Sequence, residues 1–310
     1  MRRVRQDGLP GHGEKGLVTL PRFPEFKPVT LGDRALLSRW IEAFPSPVCE
    51  MNFANILIWG DSERPRYSFL DGHLCLLVEP TFEPAYFLPP PGPGVSDGML
   101  AALLEVAPRL SRLPREFVER RTEGLRIEED RDNFDYVYLA SDLAELKGKK
   151  FDGKRNRIRK FEAECPGRRY EALGPGHLAA CRGLLDRWFG DKSCPSPHME
   201  AERLAILRAL EWYSPLGLRG GVVTIDGRLE AFTVGTRLTE DTALVQIEIA
   251  NPERSGLAQW INREFVRREW TSFRFVNREQ DVGVEGLRLA KTSYHPDHMV
   301  KKYVLRPEGA

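Results

Sequence analysis

The side chains best suited to chemistry are concentrated in residues 277–294, NREQDVGVEGLRLAKTSY. A buried core has little use for so many charges, whereas carboxylates, amines and phenols placed together can exchange protons with a substrate and stabilise developing charge. We therefore predict catalytic roles for four residues of this segment, which are Asn277, Glu279, Lys291 and Tyr294.

Three further residues of the segment, Arg278, Asp281 and Arg288, are predicted to bind substrate. Arg288 and Lys291 are three residues apart and would share one face of a helix. A structural alternative stays open, because Glu279 with Arg278 or Arg288 could instead form an ion-pair network that joins a strand to a helix.

The elements that position this segment are predicted from its apolar pattern. Residues 273–276 form a short β-prone run, glycines interrupt the pattern, and Leu287, Ala290 and Tyr294 recur at helical spacing. The polar residues therefore lie at a strand-to-helix turn, where α/β proteins often place binding groups.

An earlier strand, residues 243–250, adds two polar side chains. Gln246 and Glu248 would point to one face of the strand and the apolar residues between them to the other, because side chains alternate along a strand. We predict Glu248 as a further catalytic carboxylate, a base for an attacking amine, and Gln246 as a substrate-binding residue. The alternative is a solvated face or a pair with Arg237.

Two Asp-Gly turns predict β-hairpins, one at Asp71 and Gly72 and one at Asp226 and Gly227. They are 226 − 71 = 155 residues apart, and similar strands and helices flank each, which indicates a duplication. The element order resembles that of the Gcn5-related acyltransferases. We predict an α/β (α+β mixed sheet) fold, a tandem duplication of Gcn5-related N-acyltransferase-like units, divided into a flexible tail (1–22), a first unit (23–140), a basic linker helix (141–166) and a second unit (167–310).

In that fold a loop before a helix binds a pyrophosphate through backbone amides. The corresponding loop predicts a cofactor-binding site made of Arg254, Ser255, Gly256 and Ala258. Glu253 stands where a Gln or Arg is usual, and its negative charge disfavours acetyl-CoA. The alternative is an ordinary turn that starts a helix.

A second charged segment, residues 146–162, carries eight basic and two acidic residues, a local charge of 8 − 2 = +6. Phe151, Ile158 and Phe161 fall near one helical face, which predicts an amphipathic basic helix docked on the protein. It is predicted to bind phosphates of RNA, of a nucleotide or of anionic lipid headgroups, although a solvated basic face is the alternative. The residues proposed for this role are Lys150, Lys154, Arg155, Arg157 and Lys160.

Composition excludes several classes. The 310 residues carry 46 basic and 45 acidic side chains, and five cysteines at irregular spacings show no disulfide framework. No P-loop, GxSxG or dinucleotide fingerprint occurs, and His295 and His298 have no further ligands at metal spacing, so no metal is predicted. No apolar run approaches the roughly 18 to 20 residues that span a bilayer.

Three stretches resemble the DUF2156 family, which is related to the C-terminal domain of phosphatidylglycerol lysyltransferase. They are MNFANILIW at 51–59, YVYLASDLAELKGKKFDGKRNRIRKF at 136–161 and NREQDVGVEGLRLAKTSYHP at 277–296. The resemblance spans nearly the whole chain after the tail and implies the same tandem acyltransferase fold. It also implies aminoacyl-tRNA as donor, since better-known relatives transfer an aminoacyl group from charged tRNA to a lipid headgroup or a peptidoglycan precursor. The lipid-modifying relatives carry a multi-span membrane domain, and no such segment is predicted here.

We accordingly predict an acyl or aminoacyl transferase that uses an aminoacyl-tRNA donor and an amine or hydroxyl acceptor, such as a small amine or an anionic lipid headgroup. Two alternatives stay open: a non-catalytic RNA or nucleotide-phosphate binding module, and an acetyl-CoA-dependent N-acetyltransferase of a small amine. The cysteine usage and the absence of a signal peptide favour the cytoplasm, with contact at the inner membrane face as a variant of that location.

Overall fold

Two mixed β-sheets flanked by helices make up the computed structural model, which describes residues 20–119, 124–190 and 196–309. Most of the predicted N-terminal tail, residues 1–19, lies outside the described residues. The strands are β1 Lys27–Pro28, β2 Arg66–Leu70, β3 His73–Val78, β4 Tyr86–Phe87, β5 Leu110–Pro114, β6 Leu125–Glu129, β7 Asp135–Leu139, β8 Arg168–Ala172, β9 Arg219–Ile225, β10 Arg228–Arg237, β11 Thr242–Ala250, β12 Phe275–Asn277, β13 His298–Val300 and β14 Lys302–Pro307.

The α-helices alternate irregularly with these strands. They are α1 Arg34–Ala43, α2 Phe53–Ile58, α3 Gly60–Glu63, α4 Asp97–Val106, α5 Arg115–Val118, α6 Ala140–Glu145, α7 Asp152–Glu164, α8 Leu178–Gly190, α9 Pro197–Glu211, α10 Leu257–Glu269 and α11 Glu285–Thr292. None of these described helices is both long enough and apolar enough to cross a membrane.

Both predicted hairpins are confirmed. β2 pairs with β3 and β9 with β10, and the turn residues Asp71, Gly72, Asp226 and Gly227 all have positive φ. Asp and Gly tolerate this backbone conformation better than most residues, which is why the Asp-Gly dipeptide locates the turns.

The two sheets have the same architecture. The first runs β1-β2-β3-β4-β5-β14-β6, and the second, counted from its outer edge, runs β8-β9-β10-β11-β12-β7-β13. Each contains one parallel pair, β4 with β5 and β11 with β12. The tandem duplication of Gcn5-related N-acyltransferase-like units is therefore the architecture of this protein.

The predicted division of the chain does not account for two strands. β7 follows β6 in the chain but lies in the second sheet between β12 and β13, and β14 ends the chain but lies in the first sheet between β5 and β6. The units thus exchange their last strands, which a chain-order reading of the repeat does not reveal. This exchange makes each sheet depend on the other half of the chain.

The largest apolar core lies between the two units. It joins side chains of α1, α2, β2 and β3, such as Leu37 and Leu57, to side chains of α8, α9 and β10, such as Leu185, Leu210 and Phe232. A second core packs α6, α7 and α10 on the second sheet, and a third packs α4 on the first sheet. The shared core fixes the relative position of the units, so residues from both can build one site.

Candidate active site at the gap between β11 and β12

The two central strands of the second sheet separate soon after they pair. β12 pairs only with Thr242–Leu244 of β11 and ends at Asn277, whereas β11 continues to Ala250. Within the described chain no other strand pairs with β11 on this side. Gln246 and Glu248 therefore border a gap in the sheet. The predicted alternation is wrong, because β11 has a bulge at Gln246: Val234 and Gly235 of β10 pair with Ile247 and Val245. Val245 consequently packs in the core with α10, whereas Ile247 and Ile249 pack in the core between the units.

An ion pair crosses this gap. Arg278, the residue after β12, donates from Nε (2.9 Å) and Nη2 (2.5 Å) to Glu248 Oε2, and Asn262 of α10 donates to Glu248 Oε1 at 2.8 Å. Glu248 therefore pairs with Arg278 instead of Arg237, and Arg278 pairs with Glu248 instead of Glu279. Arg278 Nη1 and Gln246 Oε1 are buried without a hydrogen-bond partner in the structure, which leaves a donor and an acceptor for a ligand.

Glu279 enters the gap in a left-handed backbone conformation, with φ +56°. Asn277 Oδ1 accepts from the Glu279 amide at 2.8 Å, and the Glu279 carboxylate accepts from Asn55 Nδ2 at 3.0 Å. Asn55 lies on α2 of the first unit and also accepts from Gln246 at 3.4 Å. The site is thus built from both units.

Lys291 of α11 supplies the neighbouring cation. Its Nζ donates to the carbonyl oxygens of Arg278 and Gln280, the latter at 2.6 Å, so its head points into the turn. Burial lowers the pKa of Lys291 to about 8. The negative charge of Glu279 opposes this shift, and the positive charge of Arg278 adds to it. Burial raises the pKa of Glu279 to about 8. The positive charge of Lys291 opposes this shift, and the negative charge of Asp135 adds to it. The pair can therefore change protonation near neutral pH.

Asn277 and the start of β7 connect the site to a buried charge cluster, which we call the Lys302 cluster: Cys49, Glu50, Asp135 and Lys302. Asn277 Nδ2 donates to Asp135 at 3.0 Å, and the Lys302 ammonium donates to Asp135 and Glu50, each at 2.6 Å. Cys49, Glu50 and Asp135 offer ligand atoms within 4.8 Å of one another. The ammonium of Lys302 already pairs with both carboxylates, so the cluster is an ion-pair network and we do not interpret it as a metal site.

Asp281 and Arg288 lie on the other side of the turn. Asp281 is fully buried and accepts from Tyr136 Oη at 2.6 Å, from Arg288 Nε at 3.0 Å and from Arg131 at 3.1 Å. Although burial opposes it, the hydrogen bonds from Arg288 and Tyr136 hold the pKa of Asp281 well below its usual range. An ion-pair network does join the strand to the helix, as the structural alternative stated. Its carboxylate is Asp281, whereas the alternative named Glu279.

Tyr294 is buried two residues beyond the end of α11. The Lys154 Nζ lies 3.9 Å from its ring centroid, and the Arg278 guanidinium lies 4.8 Å from the same centroid. Burial, with Arg278 and Arg157 nearby, lowers the pKa of Lys154 to about 8, and burial raises that of Tyr294 to about 12. Tyr294 therefore lies protonated between two cations beside the gap.

The basic helix is confirmed in position, with Phe151, Ile158 and Phe161 all buried. Its predicted phosphate-binding residues separate into two groups. Lys154, which also donates to Ser293 Oγ, and the exposed Arg157 lie near Tyr294. The other three have partners within or beside the helix: Arg155 bonds Asp152 and two carbonyls, Lys150 pairs with Asp142 and Lys160 with Glu164. Arg155 caps the preceding turn, which the sequence pattern does not distinguish from phosphate binding.

The predicted pyrophosphate loop packs against this helix. Arg254, Ser255 and Ala258 are exposed, but Gly256, with φ +88°, is buried where any Cβ would overlap the carbonyl oxygen of Arg157. Inside the loop, the amides of Glu253, Arg254 and Leu257 already donate to Asn251 or Arg254. These three amides are therefore not free to bind a pyrophosphate.

Sequence reasoning missed four contributors: Asn55, Asp135, Asn262 and Lys302. Asn55 and Asp135 come from the first half of the chain, and the strand exchange and the shared core bring them to the second sheet. The stretch MNFANILIW, which resembles the DUF2156 family, contains Asn55 and could have pointed to it as a site residue.

The two sheets and the gap have the tandem Gcn5-related N-acyltransferase-like fold. The profile of the family described as "Phosphatidylglycerol lysyltransferase, C-terminal" matches residues 42–306, so the chain belongs to that family, DUF2156. Its family and fold are those of aminoacyl-type transferases in general, with donor and acceptor unspecified. No protein of curated function matches the sequence significantly.

Solved structures agree with this assignment. A conserved protein of unknown function from Bacteroides thetaiotaomicron is 31% identical, with a TM-score of 0.84, over 91% of this chain and 99% of that one. L-PGS from Bacillus licheniformis is 17% identical, with a TM-score of 0.62, over 90% and 93%. The C-terminal domain (DUF2156) of a putative lysylphosphatidylglycerol synthetase from Agrobacterium fabrum is 13% identical, with the same TM-score of 0.62 and coverages of 90% and 93%. The last two show the fold.

Proposed function

We propose that the protein transfers an aminoacyl group from an ester donor, aminoacyl-tRNA, to an amine or hydroxyl acceptor at the gap between β11 and β12. The observation that supports this most directly is the half-buried pair of Glu279 and Lys291, which lies beside unpartnered polar atoms of Arg278 and Gln246. Strongly perturbed pKa values cluster at sites of proton transfer, which favours a catalytic role for this pair.

In the proposed reaction the acceptor nitrogen or oxygen attacks the ester carbonyl carbon, and the Glu279 carboxylate takes the proton of the acceptor. The structure gives two acceptors for the three N–H donors of Lys291, so the third is available to the tetrahedral oxyanion. When the intermediate collapses, the bond to the donor oxygen breaks and that oxygen receives the proton from Glu279. Asn277 and Asn55 act by positioning Glu279.

The donor side is proposed to lie towards α7. Lys154, Arg157 and Arg278 bring three cations to one edge of the gap, and phosphates near the acceptor end of a tRNA would complement them. A CoA pyrophosphate is less favoured, because Gly256 is packed on α7 and the exposed Glu253 would place a negative charge beside the pyrophosphate. This contrast favours an RNA-borne ester over acetyl-CoA.

The test uses the full chain with bulk tRNA charged with radiolabelled amino acids, ethanolamine as the amine acceptor and phosphatidylglycerol micelles as the hydroxyl acceptor. We expect Glu279→Gln to reduce transfer by about 10²–10⁴-fold, because the proton acceptor is lost. Lys291→Met should also reduce it strongly. Glu240→Gln, an exposed glutamate in the turn before β11, is the matched control and should keep full activity.

Two outcomes would contradict the proposal. Binding of tRNA that is equal in wild type and Glu279→Gln, without turnover in either, favours the RNA-binding module instead. Micromolar binding of acetyl-CoA by calorimetry, with acetylation of ethanolamine, favours the N-acetyltransferase.

A further inference from the structure

The exposed apolar side chains of this protein are concentrated in one place. Eight large hydrophobic side chains are exposed in the described residues, and four of them lie within 282–289. Their exposed fractions are 57% for Val282, 54% for Val284, 37% for Leu287 and 64% for Leu289. We call this segment the apolar face of α11. A cluster of this kind indicates an interaction surface more strongly than the same residues scattered singly.

Helix α11 is inverted relative to an ordinary surface helix. Its charged residues turn inward, since Arg288 pairs with the buried Asp281 and Lys291 donates to carbonyls of the turn. Its outward side carries Leu289 and Ala290, which are exposed, and no residue of the helix is buried among apolar neighbours. The helix predicted from the spacing of Leu287, Ala290 and Tyr294 is present, but Leu287 and Ala290 are exposed and only Tyr294 is buried. The polar interior of the site attracts the cations of the helix and leaves its apolar residues outside.

Cations border the apolar face. Lys154 donates to Ser293 Oγ at 2.6 Å, and His295 contacts the carbonyl of Lys150 at 3.1 Å, so the end of α11 adjoins the start of α7. The adjoining turn exposes a row of basic side chains, which are Lys147, Lys149 and Lys150. Lys147 and Lys150 pair with Glu145 and Asp142, whereas Lys149 forms no ion pair with another described residue. Glu285 is the acidic residue on the helix itself.

We propose that the apolar face of α11, with the lysines beside it, docks on the surface of an anionic bilayer. Valine and leucine side chains would enter the boundary between headgroups and acyl chains while the lysines contact anionic headgroups. RNA would use the lysines but gain nothing from exposed Val284 and Leu289, so the combination favours lipid. Docking goes beyond the transfer reaction and can be measured without a donor, so either proposal can fail alone.

Co-sedimentation of the full chain with vesicles tests the proposal. Vesicles of equal parts phosphatidylcholine and phosphatidylglycerol should bind the protein, and pure phosphatidylcholine should bind it more weakly. We expect the double variant V284N/L289Q to bind the anionic vesicles at least about tenfold more weakly, because two apolar side chains no longer leave water on binding. The matched control is V106N/L20Q, which changes the same residue types at exposed positions elsewhere and should bind like the wild type.

Three results would overturn the proposal: no binding of the wild type to anionic vesicles, equal losses in the test and control variants, or a wild-type dimer in light scattering that V284N/L289Q makes monomeric. The last result would assign the face to a second copy of this chain. Near-wild-type circular dichroism and unfolding midpoint in V284N/L289Q show that a loss of binding is not a loss of fold.

Discussion

The two units place very different chemistry at equivalent positions of their sheets. In the first unit Arg112 of β5 pairs with Glu50, Glu83 and Asp130, at 3.5, 2.8 and 2.7 Å. In the second unit Arg278, just after β12, pairs with Glu248 alone and keeps an unpartnered Nη1. The first unit has its guanidinium surrounded by carboxylates, and the second leaves part of its own uncompensated.

The protonation of the two regions differs in the same way. Although burial opposes it, neighbouring Tyr86 and Glu50 raise the pKa of Arg112 far above its usual range, so that residue stays charged. Glu279 and Lys291 in the second unit both have pKa values of about 8. A cavity of about 340 Å³ adjoins Arg112 in the first unit, so open space alone does not identify the reactive region. The difference is the basis of our proposal that the second unit carries out proton transfer and that the first unit supports it.

The Lys302 cluster joins the two regions. Asp135 and Lys302 are the first residues of the exchanged strands β7 and β14, both side chains are fully buried, and they contact at 2.6 Å. Glu50 contacts both Lys302 and Arg112, and Asp135 contacts Asn277. A continuous polar chain therefore runs from the first unit to the base of the candidate active site.

The largest expected effect comes from breaking this connection. Lys302→Met leaves Asp135 and Glu50 buried without their cation, so we expect the free energy of unfolding to fall by about 3–5 kcal/mol. Equilibrium urea denaturation measures it. The double variant D135N/K302M should recover part of the loss, because the uncompensated charge at Asp135 is also removed. Lys301→Met changes the neighbouring exposed lysine and should leave the midpoint unchanged; equal losses in the two lysine variants would contradict a central role for the cluster.

The second-largest expected effect is on the pH dependence of transfer, which should follow residues of the second unit and not of the first. Glu279 acts as a base only when deprotonated, so the rate should fall about tenfold per pH unit below its pKa of about 8. Lys291 stabilises the oxyanion only when protonated, so the rate should fall above its own pKa of about 8. The expected profile of rate against pH is bell-shaped. Its two apparent pKa values belong to the coupled pair of Glu279 and Lys291 and not to either residue alone.

Variants assign the limbs of that profile. Lys291→Met should remove the alkaline limb from the residual activity. In the first unit, burial also raises the pKa of Glu63. Glu63→Gln should nevertheless leave the profile unchanged, and a displaced acidic limb in that variant would show that the comparison between the units is wrong.

Much of this architecture could be predicted from the sequence because it depends on local signals. The Asp-Gly turns and the apolar face of α7 were each determined by residues close in the chain, and both are confirmed. The clustering of Asn277, Glu279 and Lys291 followed from their closeness in sequence in the same way. The alternation predicted around Gln246 and Glu248 is wrong, because the bulge at Gln246 belongs to the pairing of β11 with β10.

The remainder depends on long-range pairing. Asn55 and Glu279 are 224 residues apart, and Lys302 and Asp135 are 167 apart, so no local pattern predicts these contacts. The roles of Asp281 and Arg288 could not be separated from substrate binding, because an ion pair and a ligand site use the same residue types. The inward turn of Arg288 and Lys291 likewise depends on carbonyls and carboxylates that only the folded chain brings together.

The smallest expected effect concerns the loop at Gly256, which the second unit packs against α7. Gly72, Gly227 and Gly256 all have positive φ, but a Cβ has open space at Gly72 and Gly227 and would overlap the Arg157 carbonyl at Gly256. Alanine at either hairpin turn should cost about 1–2 kcal/mol of unfolding free energy from backbone strain alone. Gly256→Ala should cost about 1–3 kcal/mol more, because α7 must move. Urea denaturation of the three variants gives the difference, and three equal losses would mean that the loop does not hold α7, and with it Lys154, against the gap.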